Sequence, residues 1–168
     1  MQARERLPVI FISDLLLART ADLLASFAAT SEAEGVVYWF GIKSGTVEVV
    51  TTLAVPDAEA EYGCVFTSPE ANARVLTELA DTSLVLIGQA HSHPRHNIRH
   101  SGFDDCHTFA RHEGALSVVV PYFGRRGFRL SRCGIHRFIN GRFRVIGRSE
   151  LPQHLIMIPG EKDCRNKK

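Results

Sequence analysis

The sequence has no apolar run that approaches the roughly 18–20 residues needed to span a bilayer. Its N-terminal apolar stretch, from Leu7 to Ile12, is short, and no small-residue cleavage site of the kind that ends a signal peptide follows it. Together these absences predict a cytoplasmic protein without a membrane-spanning segment.

Cysteine is scarce and widely spaced. The chain has four cysteines, Cys64, Cys106, Cys133 and Cys164, and no Cys-x-x-Cys pair. This spacing excludes a cysteine-ligated zinc finger, a dense disulfide scaffold and the Pro-Cys-x-x-Cys ligand pair of the zinc-dependent deaminases. We expect each cysteine to be a small buried hydrophobic residue.

What the chain does have is the composition of a globular domain. Hydrophobic residues make up 45% of its 168 residues and charged residues 23%, which is close to the average for folded domains. At about 150 residues per domain, this length predicts a single domain, over residues 1–160. Residues 161–168 are highly charged, and we expect them to form a flexible tail.

Apolar residues recur with helical and strand periodicities that alternate along the chain. The patterns predict helices over 14–28, over 69–81 and from Ser101 to about Gly114. They predict strands over 8–13, 36–41, 46–54, 84–90, 115–123, 128–138, 142–146 and 155–158. Because strands alternate with helices but several strand pairs are hairpins, the predicted fold class is α/β (α+β), a mixed β-sheet flanked by helices.

Six of the eight histidines lie between His91 and His112. His91 and His93 lie at the end of a predicted strand, where side chains two residues apart share one face, so both imidazoles can point at one ion. Ser101-x-x-Asp104 then opens a helix and could return Asp104 to the same place. Two imidazoles and one carboxylate suit zinc, and three protein ligands leave a fourth position for water. We therefore predict one catalytic Zn²⁺ ion, held by His91, His93 and Asp104.

The remaining histidines are expected either in solvent or behind the metal ligands; they are His96, His100, His107, His112, His136 and His154. Asp105 could compete with Asp104 for the metal, but we expect its side chain to point elsewhere on the helix.

The histidine motif is also typical of a known family. His91-Ser-His93-Pro, with seven residues between His93 and Ser101, and then Ser101-x-x-Asp104 resemble the JAMM signature of the JAB/MPN zinc metallopeptidases. The order of helices and strands around the motif is similar to that family, whose fold resembles that of the cytidine deaminases. The resemblance implies an MPN/JAB fold and a zinc-dependent peptidase or isopeptidase.

The resemblance further implies a catalytic glutamate just before an early strand, seven residues ahead of a glycine. Glu34 lies seven residues before Gly41 and is the expected general acid/base, while Glu32 is the rival, because it lies three residues before Gly35. Ser101 would donate its hydroxyl to the oxyanion of the tetrahedral intermediate. The same hydroxyl could cap the helix, and we expect the two roles to compete.

The stretch from Asp104 to Val118 is short and has no further His/Cys cluster for a second zinc, so the chain resembles the compact bacterial type of this family. By this resemblance its substrate is a ubiquitin-like protein or its conjugate, cut after the C-terminus in deconjugation or precursor processing. Its expected partners are E1-like and E2-like proteins of a bacterial ubiquitin-like conjugation system tied to antiviral (anti-phage) defence. A sulfur-carrier protein is the alternative substrate, and a catalytically silent MPN-type interaction scaffold is the alternative function.

Charge is distributed unevenly. Residues 1–90 hold 5 basic and 12 acidic residues, whereas residues 91–168 hold 15 and 6. The last predicted hairpins carry Arg125, Arg126, Arg129, Arg132, Arg137, Arg142, Arg144 and Arg148. Since the phenylalanines between them alternate as core residues would, we predict a solvated face and not a nucleic-acid patch. Steering of an acidic partner protein is the alternative.

Overall fold

The computed structural model of the protein describes residues 7–165. Its helices are α1 Asp14–Ser31, α2 Pro69–Glu78 and α3 Gly102–His107. Its strands are β1 Val9–Ser13, β2 Val36–Ser44, β3 Val47–Ala54, β4 Glu59–Glu61, β5 Cys64–Phe66, β6 Val85–Ser92, β7 Leu116–Val120, β8 Gly134–Ile139, β9 Arg142–Val145 and β10 Leu155–Ile158. Residues 1–6 of the predicted domain and 166–168 of the predicted tail lie outside the described residues. Within the described part of the chain, no helix has the length and apolar character needed to cross a membrane.

Eight strands form one mixed sheet in the order β10-β1-β3-β2-β6-β7-β8-β9, and β4 and β5 form a separate hairpin. The pairs β1–β10, β1–β3 and β6–β7 are parallel, and the other pairs are antiparallel. The expected fold class, a mixed α/β sheet flanked by helices, is confirmed. Strand β6 is central, because it pairs with both β2 and β7.

Alternating side chains of β2 face opposite sides of the sheet. Trp39 belongs to the larger core, together with Leu24 of α1. Tyr38 belongs to a second apolar cluster, which includes Val75 of α2. The sheet therefore has α1 on one side and α2 on the other.

Side-chain caps begin both long helices. At the start of α1, Ser13 Oγ accepts a hydrogen bond from the N–H of Leu16 at 3.2 Å, and at the start of α2, Ser68 Oγ accepts one from the N–H of Ala71 at 3.1 Å. Helix α1 ends at Ser31, and the next residue, Glu32, has a left-handed φ of 48°. The chain consequently turns back there, into the short connection that leads to β2.

The third helix is shorter than predicted. It ends at His107, whereas the sequence pattern predicts an end near Gly114. The cause is a side chain of the sheet: Gln89 Oε1 on β6 accepts hydrogen bonds from the backbone N–H groups of Phe109 at 2.9 Å and Ala110 at 3.2 Å. These two N–H groups are therefore bound to a side chain of the sheet and not to helical carbonyl oxygens, and the helix does not continue.

The strand predicted over 128–138 begins only at Gly134. The segment before it, 121–133, is irregular because it passes close under α1. Gly124 has a φ of 75°, and a Cβ at this position would lie 2.7 Å from the carbonyl oxygen of Ala21. Only glycine allows both this backbone conformation and this close approach.

The β4–β5 hairpin has no counterpart in the sequence prediction. Its strands are three residues long, too short for an alternating pattern to be recognised. The turn between them contains Gly63 with a φ of 91°. The hairpin lies on the same side of the sheet as α2, where Val65 packs against the second apolar cluster.

Arg137 is the exception to the predicted solvated face of arginines. It is fully buried, with 0% exposure, and its guanidinium donates to the carbonyl oxygen of Pro8 at 2.7 Å. It also donates to the carbonyl oxygen of His154 at 3.2 Å, so backbone carbonyl oxygens just before β1 and β10 replace water around the charge. The prediction is wrong for this residue.

The cysteines differ from one another in exposure. Cys133 is buried, as expected, and Cys64 is half-buried, but Cys106 and Cys164 are exposed. The prediction of four buried cysteines is therefore wrong for the last two, which lie on α3 and near the C-terminus.

Candidate metal centre

Strand β6 brings two histidines to its C-terminal end. His91 and His93 are separated by one residue, so their side chains share one face of the strand. They are buried, with exposures of 2% and 7%. Their Nε2 atoms lie 3.2 Å apart. The two imidazoles therefore converge on one point, as the His-x-His spacing predicts.

Asp104 reaches the same point from α3. A reciprocal cap fixes the start of this helix: Ser101 Oγ accepts from the N–H of Asp104 at 3.1 Å, and Asp104 Oδ2 accepts from the N–H of Ser101 at 2.6 Å. Asp104 Oδ1 lies 3.4 Å from His91 Nε2, and Asp104 Oδ2 lies 3.5 Å from His93 Nε2. The side chain of Asp104 is only 10% exposed.

This donor set is compatible with a metal ion. One ligand atom each of His91, His93 and Asp104 lies within 4.8 Å of the others, and no other group of this kind occurs among residues 7–165. The Nδ1 of His93 lies 2.9 Å from the carbonyl oxygen of Asn97, to which it can only donate. In the neutral imidazole this hydrogen bond leaves the lone pair of Nε2 to bind a metal.

The electrostatics of the cluster also suit a cation. Burial alone would raise the pKa of Asp104, but hydrogen bonds from His91 and His93 hold it well below its usual range. Burial lowers the pKa of His93, yet the hydrogen bond to Asp104 and the charge of Glu34 raise it overall. The carboxylate is thus ionised at neutral pH, and a cation at this point would replace the proton that His93 attracts.

Glu34 lies in the connection between α1 and β2 and is 2% exposed. Its backbone N–H donates to the carbonyl oxygen of Glu61 on the β4–β5 hairpin at 3.0 Å. Burial raises the pKa of Glu34 to about 7, with a further increase from Asp104 and an opposing effect of His93. A carboxyl group with this pKa can both take and return a proton near neutral pH.

The segment that contains Glu34 is hydrogen-bonded to the end of β6, beside the two histidines. The N–H of Gly35 donates to Ser92 Oγ at 2.9 Å, and the N–H of Ser92 donates to the carbonyl oxygen of Gly35 at 3.0 Å. A Cβ on Gly35 would lie 2.6 Å from the ring of Phe27. The close packing therefore requires glycine beside Glu34. The rival Glu32 is exposed and ends α1.

Ser101 is exposed at the start of α3. Its Oγ accepts a hydrogen bond from the N–H of Asp104, which occupies a lone pair and leaves the hydroxyl proton free. The cap uses this hydroxyl as an acceptor, whereas an oxyanion would need it as a donor, so the expected competition between the two roles stays untested.

His100 and His136 lie next to the metal-ligand cluster. The spacing of the histidines in the sequence did not predict this arrangement. His100 Nδ1 lies 2.8 Å from Asp105 Oδ1, and His100 Nε2 lies 2.9 Å from Ser117 Oγ on β7. The His100 ring stacks on that of His136 at 3.8 Å and lies 5.6 Å from that of His91. Asp105 therefore faces His100 and does not compete with Asp104. Only the pairing of β7 with its neighbours brings these groups together.

A narrow cleft adjoins the cluster on the side of the β4–β5 hairpin. Its lining includes His91 and Asp104 from the cluster, Val65 and Thr67 from the hairpin strand and its extension, and Phe103 from α3. The cleft therefore offers mostly apolar walls next to two of the metal-ligand candidates.

Comparison with known proteins agrees with this geometry. A family model described as prokaryotic homologs of the JAB domain matches residues 19–131, about two thirds of the chain. The chain is also similar to a probable metalloprotease of Sinorhizobium fredii, with 31% identity over 108 residues. The alignment covers 62% of this chain and 66% of that protein, so it spans just under two thirds of the relative's length. The family resemblance inferred from the histidine motif is confirmed.

One solved structure is similar in fold, and a second matches with a lower score. A protein of Desulfitobacterium hafniense, determined in solution, matches with a TM-score of 0.65 and 14% identity, over 90% of this chain and 94% of that chain. A JAB1/MPN domain protein of Archaeoglobus fulgidus matches with a TM-score of 0.44 and 16% identity, over 88% and 96% of the two chains.

Proposed function

Because the chain belongs to the Prok-JAB family, the prokaryotic homologs of the JAB domain, we propose that it is a zinc-dependent peptidase. The observation that carries the proposal is a buried glutamate, Glu34, beside a cluster of two histidines and one aspartate. Similarity to a probable metalloprotease supports the same class of activity.

His91, His93 and Asp104 would hold the zinc ion, since two imidazole nitrogens and a carboxylate are ligands that zinc favours. A zinc ion bound there would polarise the scissile carbonyl and lower the pKa of the attacking water. Asn97 holds the His93 ring in the orientation that this requires, through the hydrogen bond of its carbonyl oxygen with Nδ1.

Glu34 acts as the general acid/base in this proposal. Its carboxylate takes the proton of the attacking water, and the resulting carboxylic acid passes that proton to the leaving amine. A pKa of about 7 suits both transfers, because neither protonation state is strongly favoured. The hydrogen bonds between Gly35 and Ser92 hold this carboxyl group against the strand of the two histidines.

Ser101 stabilises the oxyanion. Its hydroxyl proton is free, since only its lone pair takes part in the helix cap. The cap fixes the position of Oγ relative to Asp104, so the donor is held in place before the substrate binds.

We further propose that the substrate is a ubiquitin-like protein or its conjugate, cut after its C-terminus in the cytoplasm. The resemblance of the histidine motif to the JAMM signature supports this choice. A sulfur-carrier protein has the same kind of C-terminal tail, so both substrates would bind the site in the same way.

A cleavage assay tests the proposal. Ubiquitin-like and sulfur-carrier proteins, each with a short C-terminal extension, are incubated with the zinc-loaded chain, and the products are identified by mass spectrometry. We expect one cut at the end of the tail for one of the two classes, and no cut with Glu34→Gln. A zinc-loaded, folded protein that binds these proteins but cuts none would instead favour the non-catalytic scaffold.

A further inference from the structure

The segment between Glu113 and Glu150 contains no acidic residue. It contains eight arginines and no lysine. Uncompensated charge of one sign repels itself and disfavours the folded state, so such a bias calls for a physical explanation. Arg137 is explained by its buried hydrogen bonds and Arg144 by its ion pair with Glu150 at 3.0 Å. Arg125 and Arg148 donate hydrogen bonds to the carbonyl oxygens of Ala28 and Ser131. The remaining four, Arg126, Arg129, Arg132 and Arg142, are exposed and have no such partner among the described residues.

Several of these arginines lie on a loop that packs against the metal centre. The N–H of Phe123 donates to the carbonyl oxygen of His93 at 2.9 Å, and the N–H of Tyr122 donates to that of Arg95 at 3.3 Å. Further along, the carbonyl oxygen of Ile98 closely approaches Gly134. The loop over 121–133 therefore lies directly on the loop that follows the two histidines.

The two loops present six exposed arginines, of which Arg125 donates a hydrogen bond to the carbonyl oxygen of Ala28. The other five, which we call the basic rim, are Arg95, Arg99, Arg126, Arg129 and Arg132. The first of them lies two residues beyond His93. None of the five forms an ion pair within the part of the chain that the structure describes. The guanidinium of Arg126 lies 3.7 Å from the centre of the Tyr122 ring, which limits its freedom before any partner binds.

We propose that the basic rim binds an acidic segment of the protein substrate and aligns it with the metal centre. This inference rests on the proposed function, because it takes the substrate to be a polypeptide. Arginine presents a planar fork of N–H donors that matches a carboxylate with two hydrogen bonds. A row of arginines without lysine therefore fits carboxylate side chains of a partner.

The aromatic residues of the same loop favour a polypeptide over a nucleic acid. Binding of single strands usually depends on exposed rings on which bases stack. Here Phe123 is 5% exposed, Phe128 packs on Trp39 at 6.1 Å, and Arg126 covers Tyr122. The rings of this loop therefore pack against other side chains, whereas the guanidinium groups of Arg129 and Arg132 form no hydrogen bond or ion pair within the described residues.

The opposite wall of the site has the opposite charge. The β4–β5 hairpin carries Glu59 and Glu61, both exposed, and its Tyr62 contacts Phe123 of the arginine loop at 6.2 Å between ring centres. The two walls thus meet near Glu34, whose N–H is bound to the carbonyl oxygen of Glu61. A substrate with an acidic patch on one side of its tail would bind in one orientation only.

A binding measurement with the full chain tests the inference. The probes are a fluorescein-labelled decaglutamate peptide and a labelled single-stranded DNA decamer, measured by anisotropy from about 50 to about 200 mM NaCl.

The rim variant is Arg129→Gln/Arg132→Gln. Neither of these side chains forms a hydrogen bond or ion pair within the described residues, so the change should not disturb folding. The matched control is Arg19→Gln/Arg142→Gln, which removes the same charge from α1 and from the end of the β8–β9 hairpin opposite to the loop over 121–133.

We expect decaglutamate to bind the wild type with an affinity that falls as salt increases. The rim variant should bind it roughly fivefold more weakly, as the loss of two exposed ion pairs implies, and the control variant should bind like the wild type. An equal loss in both variants, or no binding of decaglutamate, would overturn the inference. Tighter binding of the DNA decamer, with the same loss in the rim variant, would assign the surface to nucleic acid and equally overturn it. The readout needs no cleavage, so its failure is distinct from failure of the proposed peptidase activity.

Discussion

Ser92 Oγ accepts a hydrogen bond from the N–H of Gly35 at 2.9 Å, and the two backbones pair again through Ser92 N–H and Gly35 carbonyl oxygen at 3.0 Å. Ser92, the last residue of β6, stands between His91 and His93, and Gly35 follows the buried glutamate. This pair therefore fixes the distance between the candidate metal centre and the candidate proton carrier, although neither residue touches a substrate.

Replacing Ser92 by alanine tests this connection. The N–H of Gly35 would remain buried without its acceptor, which costs about 1–3 kcal/mol and releases Glu34 from its position. We expect cleavage to slow by roughly ten- to hundredfold, while the zinc content, measured by plasma mass spectrometry, stays the same. Ser92→Thr keeps the hydroxyl and should recover most of the rate. Loss of zinc in Ser92→Ala, or an unchanged rate, would contradict the positioning role.

Glu34 and Glu32 form a matched pair for identifying the general acid/base. Glu34→Gln keeps the size of the side chain but cannot carry the proton, so we expect the rate to fall by roughly 10²- to 10⁴-fold with zinc still bound. Glu32→Gln changes an exposed residue at the end of α1 and should have little effect. An inactive Glu32→Gln variant would show that the assignment is wrong.

His100 connects α3 to the sheet through Asp105 and Ser117. His100→Phe retains a ring that can stack on His136 but loses both hydrogen bonds, so the start of α3, and Asp104 with it, should move more freely. We expect zinc affinity, measured by competition with a chelator, to fall by roughly tenfold. Asp105→Asn keeps an acceptor and should bind zinc nearly as well as the wild type. The control His96→Phe changes an exposed histidine, and an affinity loss of the same size there would remove the support for this role.

His136 makes stability depend on pH. Burial, reinforced by the charges of His100 and His91, lowers its pKa to about 3, against opposing effects of Asp105 and a hydrogen bond with the Ser117 backbone. A histidine with a lowered pKa in the folded state stabilises fully above its unfolded pKa of about 6.5, and this stability is lost as the pH falls from there towards 3. The free energy of unfolding should therefore decrease by about 2 kcal/mol between pH 7 and pH 5 from this residue alone.

Urea unfolding at both pH values measures this contribution. His136→Phe removes the titrating group and should unfold with a smaller difference between pH 7 and pH 5 than the wild type. His96→Gln, at an exposed position, should keep the full difference. The same pH sensitivity in His136→Phe would show that another group causes it.

The parts of the fold that follow from local patterns could be predicted. His91 and His93 meet because β-strand geometry places alternate side chains on one face, and Asp104 joins them because a reciprocal cap fixes the first turn of α3. These relations span few residues and depend on backbone geometry alone. The mixed sheet follows in the same way from the alternating apolar runs.

The parts that depend on distant contacts could not be predicted. Helix α3 ends early because the Gln89 side chain accepts hydrogen bonds from the backbone beyond the helix. Nothing in the sequence near α3 predicts these hydrogen bonds. His100 can contact Ser117 only once β7 has paired with β6. Arg137 is buried because its guanidinium donates a hydrogen bond to the carbonyl oxygen of Pro8. In each case a residue far away in sequence decides the outcome.

Native mass spectrometry of the freshly purified protein tests the central claim most directly. The wild type should carry one zinc ion per chain, Asp104→Ala should carry none, and the neighbouring change Asp105→Ala should keep it, with circular dichroism showing that all three are folded. A folded wild type without zinc, or an Asp104→Ala variant that retains it, would contradict the account of this site as a metal-dependent peptidase centre.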